Sequence, residues 1–131
     1  MGPDLRGFYA NYIRRCNVHG VDDLGEFVAE TVTGSAQGLD EYRDGLRDVI
    51  SAFPDYHWTV EHLIVEGDTI AVRLTGTGTH LGSFRGIEPT GRVIRTQELA
   101  IYRIEGGRIT ACWGDLGSTV RDELVSGSGS E

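Results

Sequence analysis

The sequence predicts an α+β fold in one domain, with helices packed on one face of a mostly antiparallel sheet. Three observations predict it. Up to Phe53, apolar residues recur at the spacing of helices that bury a single stripe. Beyond Pro54 the pattern becomes strand-like, with turn signals at Gly67-Asp68 and at "EGG", residues 105–107. The chain has 131 residues, 39% hydrophobic and 8% aromatic, which suits one domain able to bury a core.

The elements follow in order. Leu5, Phe8, Tyr9, Tyr12, Ile13 and Cys16 place a helix over residues 4–17, and "NVHG" ends it with Gly20 near the C-cap. "VDDLGEFVAE", residues 21–30, reads as a short second helix with Asp22 as its N-cap. "TVTGSAQG" reads as a loop or a short extended piece. Leu39, Tyr42, Leu46, Val49, Ile50 and Phe53 mark a third helix, capped by Asp40 and stopped by Pro54. Residues 56–80 then give two strands and residues 91–115 two more, joined by a long Gly- and Thr-rich loop. The single domain is expected over residues 1–125, with 126–131 a flexible tail.

Charge and composition exclude several functions. The net charge is −8, so no nucleic-acid partner is expected, because such binding rests on neutralising phosphates. All twelve basic residues are arginines, so Schiff-base chemistry on a lysine is excluded. No apolar run suggests a membrane partner, and without an export signal the expected location is the cytoplasm. Cys16 and Cys112 lack zinc-site spacing and are expected to be reduced and buried.

Three stretches carry a resemblance: "FPDYHWTVEHLIVEGDTIAVRLTGTGTH", "GSFRGIEPTGR" and "YRIEGGRITACWGD". In these the chain resembles the SnoaL-like polyketide cyclase family of the nuclear transport factor 2-like superfamily, over about residues 4–125. The resemblance implies a cone-shaped α+β barrel, with a curved sheet around a deep pocket covered by the N-terminal helices. It implies a homodimer formed through the outer sheet face. It also implies cofactor-independent acid/base catalysis on a small hydrophobic substrate, an intramolecular aldol-type cyclisation of a polyketide-type carbonyl compound. Two alternatives share the pocket: epoxide opening or hydrolysis, and small-ligand binding without turnover.

The family's catalytic aspartate, counted from Ile109, falls at Gly114, and Asp115 comes one residue late. A β-bulge would restore its direction, and Gly114 would suit one. The family's histidine falls at Ala100, so that group is missing. Thr96, Glu98, Ala100 and Tyr102 share one face by alternation, which brings Glu98 into the pocket if Ala100 faces it. The alternative for Glu98 is a buried ion pair with Arg73 or Arg95. The expected catalytic set is Asp115, Glu98 and His80, the last at the start of the long loop. Substrate contacts are expected from Tyr12, Phe53, Trp58, Phe84, Tyr102 and Trp113, with Phe84 and Ile87 as an apolar lip. No metal ligands are expected.

Overall fold

Helix α1, Leu5–Asn17, buries the predicted stripe of Leu5, Tyr9, Tyr12, Ile13 and Cys16. The Asp4 side chain caps its start, accepting the Gly7 N–H at 2.9 Å. At its end the His19 amide bonds the Cys16 carbonyl and the Gly20 amide the Arg15 carbonyl. His19, not Gly20, takes the left-handed conformation, with φ 60. Its Nε2 lies 2.9 Å from the Tyr56 carbonyl, which ties the helix end to the sheet. The computed structural model describes residues 4–126.

The second predicted helix is not there. A single 3-10 stretch, Val21–Glu26, gives way to strand β1, Val28–Gly34. Gly20 occupies the N-cap without a side-chain bond, and Asp22 pairs with Arg47 instead. Val28 and Val32 are buried, and β1 finds its partner in a strand near the end of the chain, so tertiary pairing overrides the local pattern. Helix α2, Leu39–Ala52, forms as expected, but Gly38 is its N-cap and Asp40 sits in its first turn, where a carboxylate favours the helix dipole.

Strands β2, His57–Glu66, and β3, Thr69–Thr79, form a hairpin; β4, Val93–Glu105, and β5, Arg108–Trp113, form the next. The sheet order is β1-β5-β4-β3-β2, with β1 parallel to β5 and every other pair antiparallel. The sheet is therefore mixed; it is curved and does not close on itself. Along β4 burial alternates strictly from Val93 to Glu105, which separates an inner face from an outer one. Helix α3, Leu116–Ser126, follows β5 and buries Val120 and Leu124. Ser126 therefore belongs to a helix and not to the predicted tail; residues 127–131 lie outside the described residues.

The core lies between the helices and the inner face, where Tyr9 and Val49 meet Ile70, Val72, Ile94 and Ile109. The Gly-rich end of β3 has a packing cause. A Cβ at Gly78 would stand 2.9 Å from Tyr56 Cδ1 and 3.1 Å from Phe53 Cβ, so only glycine lets these rings lie on the strand. Asp55 braces the same corner by accepting the Thr79 amide at 2.7 Å and the Thr79 hydroxyl at 2.8 Å. The outer face leaves Ile64, Leu99, Ile101 and Trp113 exposed.

Candidate active site

A cavity of about 370 Å³ opens between α1, α2, the inner sheet face and the start of α3. That volume is in the range of small-molecule sites. Tyr12, Trp58, Phe84 and Tyr102 line it, four of the six residues expected to meet substrate. Phe53 does not: it is fully buried in the core behind the wall. Trp113 does not either: it pairs with Ile101 on the outer face and is 47% exposed.

The direction of Trp113 follows from a bulge in β5. Ile104 pairs with Ile109, but Arg103 pairs with Ala111, which leaves Thr110 as an extra residue. One extra residue reverses the alternation beyond it. Cys112 then pairs with the inward-facing Tyr102, and Gly114 faces the cavity after it. The bulge expected at Gly114 to turn Asp115 inward is not there; the one at Thr110 turns Gly114 inward instead.

Glu98 stands on the inner face of β4 and lines the cavity at 9% exposure. Among the described residues no hydrogen bond or ion pair reaches its carboxylate. Arg73, a possible partner, is turned to the outer face, bonding His62 Nδ1 and the Gln97 side chain. Burial, and then the nearby Asp115 charge, push the Glu98 carboxyl up to about 7. Asp115 lines the mouth of the same cavity and is exposed. It stands directly before α3, its carbonyl accepting the Thr119 amide at 2.9 Å.

His80 is not brought to the cavity. Its fully buried ring stacks on Phe53 with centroids 5.2 Å apart. Its Nδ1 accepts the Thr90 amide at 3.2 Å and lies 3.0 Å from the Thr90 hydroxyl, so it holds the two ends of the long loop together. Its Nε2 has no partner among the described residues. Ile87 makes no lip; it pairs with Phe84 through two backbone bonds and packs on the core.

Hydroxyls and thiols crowd the interior. Tyr12 and Tyr42 bond oxygen to oxygen at 2.6 Å, and Tyr9 and Tyr102 at 3.0 Å. Burial raises all four phenols well above their ordinary value, so each stays protonated at neutral pH and able to donate. Burial also pushes the Cys16 and Cys112 thiols up to about 12, which makes them poor nucleophiles. Both are free, and Cys112 is only partly buried because it faces the cavity. Among the described residues no three His, Cys, Asp or Glu side chains gather as a metal site.

Comparisons with known proteins agree with this architecture. The family description "SnoaL-like polyketide cyclase" matches residues 4–116. The chain belongs to the SnoaL-like polyketide cyclase family. No curated protein matches it. A SnoaL-like polyketide cyclase from Agrobacterium tumefaciens is 27% identical, with a TM-score of 0.78, covering 94% of this chain and 99% of that one. Wild-type IdmH from Streptomyces antibioticus is 24% identical with the same TM-score and coverage. TsrD from Streptomyces laurentii is 23% identical with a TM-score of 0.79, covering 92% of this chain and 93% of that one.

The two positions where the resemblance placed the family's acid/base pair carry small residues. Ala100 and Gly114, where the family's histidine and aspartate were expected, face each other without a functional group. A Cβ on Gly114 would lie 3.2 Å from Ala100 Cβ and 3.3 Å from Glu98 Oε2. The carboxyl of Glu98 therefore stands beside the two small positions. Sequence reasoning missed Tyr42 and Arg85 as cavity residues. Tyr42 was legible as part of the apolar stripe of α2, but its role in the wall depends on how α2 meets α1. Arg85 sits in the loop at φ 47, and only the loop's path brings it to the mouth.

Proposed function

We propose that this cavity catalyses a cofactor-independent acid/base reaction, an aldol-type ring closure of a polyketide-type carbonyl compound, with Glu98 as the proton-transfer group. One observation carries the reading: an unpartnered carboxyl enclosed on the cavity wall, where burial pushes it up to about 7. A group poised near the working pH is both a usable base and a usable acid. Ionised Glu98 takes a proton from a carbon between two carbonyls, leaving an enolate. The enolate carbon attacks a second carbonyl of the same molecule, forming the ring bond, and the resulting alkoxide takes the proton back from Glu98. Protonated Tyr12 or Tyr102 supplies a hydrogen bond to the oxygen on which charge develops. Asp115 acts on Glu98 through its charge.

The test is Glu98→Gln, nearly the same shape without the titrating group, assayed on linear poly-β-ketone thioesters. Cyclised product should fall about a hundredfold or more, while binding persists. Undiminished cyclisation in Glu98→Gln, lost instead in Asp115→Asn, would move the proton transfer to Asp115, whereas turnover of an epoxide and of no poly-β-ketone would favour the epoxide-opening reading. The pairing of Ala100 with Gly114 favours a second reading, ligand binding without turnover. That reading is upheld if ligands bind the wild type and none is converted.

A further inference from the structure

We infer that the cavity takes a ligand whose apolar ring system carries a protonated amine, and that carboxylates at its mouth select for this charge. The inference rests on reading this cavity as the substrate site and adds that the carbonyl substrate also carries an apolar ring and an amine. Glu41, Asp44 and Asp48 on α2 line the cavity together with Asp115 and Glu98, against a single guanidinium, that of Arg85. Asp44 shares an exposed ion pair with Arg47 at 3.8 Å. Glu41, Asp48 and Asp115 have no ion-pair partner among the described residues.

Three features turn this excess of negative charge into recognition of an ammonium. First, a concave wall of low dielectric focuses the potential of the groups around it, so the opening attracts cations and repels anions. Second, Tyr12, Tyr42, Trp58, Phe84 and Tyr102 present aromatic rings to the cavity, and ring faces attract cations. Third, the unpartnered Glu98 carboxyl is nine-tenths buried and aimed into the same space, so an acceptor waits inside as well as at the mouth. The carboxylates are spread and do not gather as ligands for one metal ion. A spread set suits an organic cation that keeps part of its water. Arg85 offsets only one of these charges; it lies over the Phe84 ring, 5.6 Å from its centroid, and packs against Gly117 at one side of the opening.

The test uses the full chain and three probes on one naphthalene ring: naphthylmethylamine, naphthalenemethanol and naphthoate. Calorimetry at low salt should find the ammonium bound about tenfold more tightly than the alcohol, with the carboxylate weakest. The advantage should shrink as salt rises, because exposed charges are screened. The double variant Asp44→Asn/Asp48→Asn, on the exposed side of α2, should cut the ammonium-to-alcohol ratio about threefold or more. Equal binding of ammonium and alcohol, or tightest binding of naphthoate, overturns charge selection and leaves the substrate cavity standing. An ammonium advantage unmoved by salt and by the double variant overturns the assignment to the mouth carboxylates. If no probe binds, the substrate-site reading fails together with this one.

Discussion

Replacing Glu98 with glutamine should make the protein more stable at neutral and alkaline pH, which is unusual for the loss of a proposed catalytic group. The folded carboxyl titrates at about 7 against an ordinary 4.5. Each unit of displacement is worth about 1.4 kcal/mol, so ionising this buried group costs the fold about 3 kcal/mol. Below pH 4.5 both the folded and the unfolded chain hold the proton, and no cost appears. Between 4.5 and 7 the unfolded chain has released the proton while the folded chain keeps it, so stability falls as pH rises. Above 7 both are ionised and the loss is complete. The glutamine variant lacks this dependence. The assay is urea unfolding of both proteins at steps across this window, taking the difference so that all other groups cancel. Wild type should lose about 3 kcal/mol relative to Glu98→Gln from the acid to the alkaline end. A difference that is flat with pH, or that moves in wild type's favour as pH rises, would refute the argument that burial holds the proton on Glu98.

Removing the Asp115 charge by Asp115→Asn should lower the Glu98 titration only part of the way back to its ordinary value, because burial, the larger cause, remains. The same pH series reads this as an earlier and smaller loss; no movement would mean that Asp115 does not act on Glu98. His80→Ala should destabilise the fold by about 2–4 kcal/mol, since it removes a buried ring and the acceptor for the Thr90 amide. Hydrogen exchange should then quicken across residues 81–91, and a variant as protected as wild type would show that the imidazole does not hold the loop. We expect a homodimer through the exposed outer face of Ile64, Leu99, Ile101 and Trp113. Sedimentation should find Leu99→Asp monomeric, and a wild type that is already monomeric would refute this.

The sequence was most legible where both sides of a strand differ. In β4 every second residue from Ile94 to Ile104 is buried, so alternation grouped Thr96, Glu98, Ala100 and Tyr102 on one face, and the resemblance at Ala100 said which face turns inward. Helices α1 and α2 were legible for the same reason, each burying one stripe. β1 was only half legible because its pairing is parallel and remote: "TVTG" could be read as a short extended piece, but Val28 meets Ile109 near the other end of the chain, which no local pattern announces. Helix α3 carries a readable signal in Leu116, Val120 and Leu124, one helical turn apart, obscured by the small and polar residues around it.

The wall of the site was illegible for a sharper reason. Counting outward from Ile109 by twos turns Trp113 inward and Gly114 outward, yet the opposite holds, because Thr110 is an extra residue against β4. No composition rule locates such a bulge; it is fixed by how Ile104 and Arg103 pair across the sheet. Its consequence is chemical. With Gly114 turned inward opposite Ala100, the β5 wall carries no acid and leaves open space beside Glu98 Oε2. A side chain at Gly114 would crowd the Glu98 carboxyl against Ala100, whereas Asp115, one step further, reaches the mouth and acts through its charge. The bulge thus separates two carboxylates that simple alternation would not have distinguished, one buried and protonatable near neutrality, the other exposed. A division of environments of that kind lets a pair of acids take different parts in one reaction.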